Sequence, residues 1–245
     1  MPLDEYAFYG RHADKHMFEA AAQAVIAECM RGRGLTAAPV QITGDPGTDL
    51  DDRRFGIWEE TRAARYGWGY PPSPLDAAIT RARASGGPEW AAAYDSCNES
   101  DADVVEAINK ITPPQAEYLG SVASRLEGEA LAHARRDPRW REARVPWADC
   151  LTAAGLTPEE GETYTSRQST ALLDNPAASR SEEGIRLASI EARCNSETGL
   201  TQTLADLEAA QQRPLIAENE AALTTEKTQK QKLLNAAREY LATHG

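Results

Sequence analysis

Four cysteines are the residues whose types and spacing bear most directly on the chemistry of this chain. They are widely separated, they form no CxxC pair, and none has a histidine at the spacing of a metal site. An even number of such cysteines is typical of disulfides in an oxidising compartment. The alternative is a cytosolic protein in which lone cysteines are small buried hydrophobic residues. The four are Cys29, Cys97, Cys150 and Cys194.

Residues 53–70 hold the densest set of aromatic side chains, interspersed with arginines. Aromatic rings bind sugar faces or partner side chains because they offer a large apolar area with little entropy to lose. Guanidinium groups hold carboxylates or stack on rings. The alternative, and the more common use of aromatic residues, is that the rings pack a loop onto the helical core. The candidate binding residues are Phe55, Trp58, Arg62, Arg65, Tyr66, Trp68 and Tyr70.

Two histidines, His12 and His16, are four residues apart, which would place both imidazoles on one face of a helix. A closed metal site requires a third and a fourth ligand. The remaining histidines, His133 and His244, lie far along the chain. The sequence therefore predicts no metal site and no cofactor, and His12 and His16 are the candidate ligands if a metal does bind.

Motifs that carry catalysis are missing from the sequence. It contains no G-x-S-x-G elbow, no H-E-x-x-H, no phosphate loop and no G-x-G-x-x-G after a strand. Acidic residues such as the Glu59-Glu60 dipeptide could include a general acid and base, but no spacing selects a pair, and solvated helix faces explain them more simply. The sequence favours a non-catalytic protein.

Helical periodicity of the apolar residues predicts the elements that position these side chains. Apolar residues recur at helical spacing over residues 13–33 and again, almost without interruption, over residues 182–243. Pro214 lies inside the second region and predicts a kink or break just before it. A stretch that is polar on every side, residues 224–232, predicts either full solvation or a bridge past the end of the body.

No alternating strand pattern is present, so the predicted fold class is all-α. We expect an irregular helical bundle, stapled by disulfides, that forms a single domain over residues 1–245. Three further regions are predicted: an extended arm (1–11), a loop (35–52) and a long C-terminal helical region (182–243).

Composition excludes several functional classes. A net charge of −12 disfavours nucleic-acid binding, which needs clustered basic side chains. No run reaches the roughly 18 to 20 apolar residues of a membrane span. A hydrophobic content of 41% is enough for a globular core. Residues 1–10 do not resemble a secretory signal, but a mature exported protein would have lost one, so the compartment has to be inferred from the cysteines.

Several short motifs spread over most of the chain together resemble those of one protein family. They are Cys29-Met30-Arg31, Arg53-Arg54-Phe55-Gly56, Ala63-Ala64-Arg65-Tyr66-Gly67-Trp68, Trp147 with Cys150, Ala192 to Cys194, and Leu215-Ile216 with Glu218. The family consists of uncharacterised exported actinobacterial proteins, often lipoproteins and sometimes described as peptidoglycan-binding. The resemblance implies an exported helical protein with two disulfides and no established activity. Pro214 departs from the unbroken C-terminal helix of the group, and a lipid anchor, if present, would lie outside these 245 residues.

We therefore expect a secreted or cell-envelope interaction protein that binds another protein or a cell-wall component. Two alternatives are an extracellular hydrolase that uses two carboxylates on cell-wall or glycan material, and a cytosolic helical scaffold with reduced thiols. Four cysteines allow three pairings. Proximity along the chain favours Cys29 with Cys97 and Cys150 with Cys194.

Overall fold

Helices dominate the computed structural model, which describes residues 1–37, 53–71 and 73–244. Within those ranges no β-strand forms, and the predicted all-α fold class is confirmed. The helices are α1 (His12–Gly32), α2 (Glu60–Tyr66), α3 (Pro74–Asp95), α4 (Ala102–Ile111), α5 (Gln115–Leu119), α6 (Val122–Ala134), α7 (Pro138–Ala153), α8 (Arg167–Leu173), α9 (Pro176–Ser179), α10 (Glu182–Thr198), α11 (Leu200–Glu218) and α12 (Glu220–His244).

The described residues fall into two compact units. Unit 1 contains residues 1–37, 73–127 and 216–244, and unit 2 contains residues 53–71 and 128–215. Two such units can belong to one domain, so the single domain expected over residues 1–245 stays a prediction. The expected loop at 35–52 lies mostly outside the described residues, of which residues 35–37 have no regular structure.

Unit 1 has its core between α1, α3, α4 and α12. The apolar face of α1 that the periodicity predicted is buried there, because residues three and four apart lie on the same side of a helix. Trp90 and Tyr94 of α3 stack with their ring centroids 5.1 Å apart. The principal buried residues are Phe18, Val25, Ile26, Met30, Trp90, Tyr94, Leu234 and Ala237.

The core of unit 2 is arranged around α10, which packs against α2, α7, α8 and α9. Aromatic and leucine side chains fill it, and each aromatic ring buries a large apolar area. The principal buried residues are Phe55, Trp140, Trp147, Leu151, Leu187, Leu200 and Leu204.

Each unit contains one disulfide, and the predicted pairing is confirmed. Cys29 of α1 is joined to Cys97, which lies in a π-helical turn at Ser96–Ser100. Cys150 of α7 is joined to Cys194 of α10. No free cysteine remains.

Residues 1–11, expected to form an extended arm, are folded instead. A 3-10 turn spans Pro2–Glu5, where the ring of Pro2 fixes the first backbone angle of the turn. Buried Lys230 of α12 holds this segment, because its ammonium donates to the carbonyl oxygens of Glu5 at 2.8 Å and Ala7 at 3.0 Å. The same ammonium lies 3.2 Å from the carboxylate of Asp14.

The polar stretch 224–232 of α12 is mostly exposed to solvent, and Glu226 and Lys230 are the residues on its covered side. Glu226 accepts hydrogen bonds from the backbone N–H groups of Val122 and Ala123. These groups lie in the first turn of α6, where backbone donors have no partner within the helix. Gln229 donates to Glu117 of α5 at 2.6 Å. This stretch has no apolar stripe because most of it is solvated and its covered side meets polar partners from other elements.

The C-terminal region 182–243 is helical but divided among α10, α11 and α12. Gly199, with a φ of 64°, ends α10 in the left-handed conformation that glycine adopts without strain. Helix α11 continues through Pro214, so the break expected just before this residue is not found. The interruptions fall at Gly199 and at Asn219 instead.

Candidate binding surface

The predicted binding residues belong to a short loop–helix–loop segment of unit 2 centred on α2. The side chain of Glu59 caps this helix by accepting hydrogen bonds from the backbone N–H groups of Thr61 and Arg62. Gly67 ends it with a φ of 58°. A Cβ atom on Gly67 would lie only 2.3 Å from the carbonyl oxygen of Ser179, so a glycine is required for this close approach.

Phe55 and Arg62, two of the seven candidates, point into the protein. The ring of Phe55 is 4% exposed and contacts the rings of Trp140 and Tyr164 edge to face. Asn195 donates to the Phe55 carbonyl at 2.9 Å and so fixes its backbone. Arg62 is also buried. Phe55 and Arg62 therefore pack this segment onto the core, which was the alternative to a binding role.

Trp68 lies at the boundary between core and surface. One part of its half-buried indole packs against a small apolar cluster that includes Ile57, Ala188 and Ala192. Its Nε1–H donates to the carboxylate of Glu191 at 2.6 Å. The hydrogen bond fixes the orientation of the indole.

Tyr70 is the most exposed aromatic candidate, with 63% of its surface accessible. The guanidinium of Arg53 lies 3.8 Å from its ring centroid and 5.9 Å from that of Trp68. Arg53 also donates to the carbonyl of Gly69 at 2.9 Å, and Arg180 donates to the carbonyl of Tyr70 at 2.7 Å. We call Arg53, Trp68, Tyr70 and Arg180 the Tyr70 cluster.

The remaining candidates lie outside the contacts of the Tyr70 cluster. Trp58 is 37% exposed. Arg65 is exposed, and its guanidinium lies 5.0 Å from the ring centroid of half-buried Tyr66. The structure thus separates the seven residues into two core residues, one boundary residue and four with accessible surface.

Arg180 was missed by the sequence analysis. It follows α9 and lies 110 positions along the chain from Tyr70. A Cβ atom on Gly69 would lie 2.4 Å from its Nε atom, so the absence of a side chain at Gly69 gives Arg180 its place. No local pattern in the sequence signals such a contact.

An ion pair between partly exposed Arg54 and buried Glu208 joins this segment to α11. Arg54 donates to both carboxylate oxygens of Glu208, with its Nε atom 3.0 Å from Oε2. Glu208 has no exposed surface, and Gln212 also donates to it at 2.9 Å. The paired geometry satisfies a charge that would otherwise be costly to bury.

Glu191 is the second buried carboxylate of unit 2, with 1% of its surface exposed. It accepts hydrogen bonds from the backbone N–H of Ser166 at 2.8 Å, from the Ser166 hydroxyl at 2.5 Å and from Trp68. Burial raises the pKa of this carboxyl, and the hydrogen bonds from Ser166 and Trp68 oppose that rise.

We expect the stability of the protein to depend on the charge of Glu191. Because its pKa is raised in the folded state, the folded state binds the proton more tightly than the unfolded state does. The protonated carboxyl makes its full contribution to the free energy of unfolding below pH 4.5, the pKa of an unperturbed glutamate. This contribution is lost as the pH rises through the folded-state pKa. The stability of Glu191→Gln relative to the native protein should therefore increase as the pH rises above this value, as measured by urea unfolding.

Glu183, also on α10, provides the matched control. It is exposed, and Arg186 lowers its pKa by hydrogen bonding to it, so its stabilising contribution is lost as the pH falls. The relative stability of Glu183→Gln should therefore decrease as the pH rises. A Glu191→Gln difference that stays flat or decreases with pH would contradict the assignment.

Among the described residues, neither buried Glu191 nor the histidine pair of α1 forms a complete catalytic or metal centre. The carboxyl of Glu191 has a raised pKa, as a general acid needs, but it is sealed from substrate by Ser166 and Trp68. The candidate metal ligands His12 and His16 lie on α1, where the Nδ1 atom of His16 is 3.7 Å from Glu19. No group of three or more metal-ligating side chains occurs among residues 1–37, 53–71 and 73–244.

Comparison with protein families, with curated proteins and with solved structures gave no match to this chain. In the part of the chain that the structure describes, no helix combines the length and apolar character needed to cross a bilayer.

Proposed function

We propose that this is a non-catalytic, extracytoplasmic interaction protein of the exported kind that the sequence resembles, and that it binds a cell-wall component through the Tyr70 cluster. The observation that carries the proposal is the exposed ring of Tyr70, which is held between the side chain of Arg53 and a backbone contact from Arg180.

The fixed geometry of the Tyr70 ring supports a binding role. An exposed aromatic side chain usually loses rotational freedom when it binds, and this loss opposes association. Stacking on Arg53 and the hydrogen bond from Arg180 to its backbone restrict Tyr70 beforehand. The result is a large apolar face beside two cationic groups, which suits a ligand that presents a sugar face together with anionic groups.

The disulfides support the extracytoplasmic part of the proposal. Each unit has its own covalent link, Cys29–Cys97 in unit 1 and Cys150–Cys194 in unit 2. Such links persist in oxidising environments and are rare where glutathione and thioredoxin keep thiols reduced.

Co-sedimentation with purified insoluble cell wall tests the binding role. We expect the oxidised protein to sediment with the cell wall, and Tyr70→Ala to bind at least about tenfold more weakly, because truncation of a central aromatic residue typically costs 2 kcal/mol or more. Trp58→Ala tests whether the binding surface extends to the other exposed ring.

Val145→Ala is the matched control, since Val145 is an exposed apolar residue of unit 2 on α7, outside the Tyr70 cluster. It should bind as the native protein does. Equal binding by Tyr70→Ala and the native protein, or no sedimentation of the native protein, would refute the proposal.

A further inference from the structure

A cavity of about 500 Å³ lies in unit 1, between the end of α1 and the kinked helix α3. Its volume falls within the range of about 300–1,000 Å³ that is usual for small-molecule sites. The described residues that line it are Gly34, Leu35, Thr36, Ala37, Ala78, Arg81, Ala82, Ser85, Gly86 and Trp90.

The sequence Ser85-Gly86-Gly87-Pro88 shapes one wall of this cavity. Gly87 has a φ of 70° and a ψ of −164°, a combination that L side chains rarely adopt, and it divides α3 into two helical parts. A Cβ atom on Gly86 would approach Trp90 to 2.5 Å. The two glycines therefore allow α3 to turn while its second part carries Trp90 back against the first.

Trp90 forms a fixed apolar part of the lining. Only 3% of its surface is exposed, and it stacks on Tyr94. Its Nε1–H donates to the carbonyl of Thr36 at 2.7 Å, which fixes the segment after α1 to α3. Leu35, Ala78 and Ala82 supply the rest of the apolar lining, beside polar residues such as Thr36 and Ser85.

Arg81 is the one charged side chain among the described residues that line the cavity. It is exposed, and no carboxylate in the described ranges lies within ion-pair distance of it. By contrast, Arg83 pairs with Asp95, and Arg33 pairs with Asp101 at 2.8 Å. Arg81 therefore combines full charge with planar donors suited to a carboxylate.

We propose that this cavity binds a small amphipathic carboxylate, with the anionic head on Arg81 and the apolar tail along Leu35, Ala78 and Ala82 beside Trp90. Among the described lining residues, these apolar side chains and the one cation favour this ligand class, because the cation discriminates the head group while the apolar part contributes hydrophobic affinity. The site is separate from the surface proposed in unit 2 and does not depend on it.

The test uses three probes that share a ten-carbon chain: decanoate, decan-1-ol and decyltrimethylammonium. Binding is followed by the NMR signal of the Trp90 indole N–H, which the Trp90→Phe variant assigns. We expect decanoate to shift this signal saturably and to bind at least about tenfold more tightly than the alcohol, as one charge-assisted bond would allow. The ammonium probe should bind more weakly still.

Arg81→Gln should reduce decanoate affinity to that of the alcohol, and Arg81→Lys should restore part of it. Arg31→Gln, an exposed residue of α1 outside the lining, makes the same change in net charge and should leave affinity unchanged. Saturation of the Trp90 signal by decanoate with the same affinity in Arg81→Gln would overturn the proposal. So would equal affinities for the three probes, or no response to decanoate by the folded protein.

Discussion

Replacing both cysteines of one disulfide with alanine should lower the free energy of unfolding by about 4 kcal/mol for either pair. The chain-entropy account predicts this size because the closed loops are long, with separations of 68 residues for Cys29–Cys97 and 44 for Cys150–Cys194. Urea unfolding of the paired variants measures the effect. Alanine is preferred to serine, since Cys97 and Cys194 are buried and a hydroxyl there would lack solvation.

The unit in which stability is lost serves as the control for this prediction. Each disulfide joins residues of one unit, so amide hydrogen exchange should increase mainly in the unit that has lost its link. A loss of less than about 1 kcal/mol for both pairs would contradict the role of the disulfides, because it is far below the chain-entropy value.

Arg54→Met should lower the free energy of unfolding by about 2–3 kcal/mol, because the buried carboxylate of Glu208 would lose its charged donor. The effect should be smaller than for a fully buried pair, since the side chain of Arg54 is one-third exposed. Glu208 is fully buried, and both of its carboxylate oxygens accept hydrogen bonds from Arg54. Urea unfolding again provides the measurement. Because Arg54 precedes the segment that carries Tyr70, this variant should also weaken binding to the cell wall.

The double variant Arg54→Met/Glu208→Leu distinguishes the ion pair from general packing. Replacing both partners of a buried pair with apolar residues is often close to neutral, so much of the lost stability should return. If the double variant is less stable than Arg54→Met alone, the penalty does not come from an uncompensated carboxylate at Glu208.

The all-α class could be predicted because helical periodicity is local information, and the cysteine pairing because each disulfide joins cysteines that are consecutive along the chain. Helical periodicity records which residues share a face, and the apolar residues of α1 are buried as expected. The first cysteine is joined to the second and the third to the fourth, in agreement with the proximity argument. The apolar spacing from about Gln115 to Arg136 predicts one long helix, but the structure divides it at Gly120 into α5 and α6.

The division of the aromatic segment could not be predicted, because the sequence does not show which neighbour each ring meets. Phe55 is buried by Trp140 and Tyr164, residues far along the chain. Tyr70 is exposed but oriented by Arg180. Lys230 illustrates the same problem for charge, since a lysine in a polar helical stretch gives no sign that backbone carbonyls will surround it.

The buried acids are a further case where composition misleads. Solvated helix faces account for many of the acidic residues, but Glu191 and Glu208 are enclosed by donors from separate elements. The burial of Glu191 and Glu208 depends on tertiary packing, because donors from several elements must come together to offset the cost of desolvating a carboxylate.

We propose that the protein keeps its two disulfides in a compartment without reductant, in contrast to a cytosolic scaffold with free thiols. The mass of the protein isolated from the cells that make it, with thiols blocked at lysis, tests this when it is compared before and after reduction. We expect a gain of about four mass units on reduction, two hydrogens for each of the two bonds, with no thiol blocked beforehand. Four blocked thiols and no gain on reduction would contradict it.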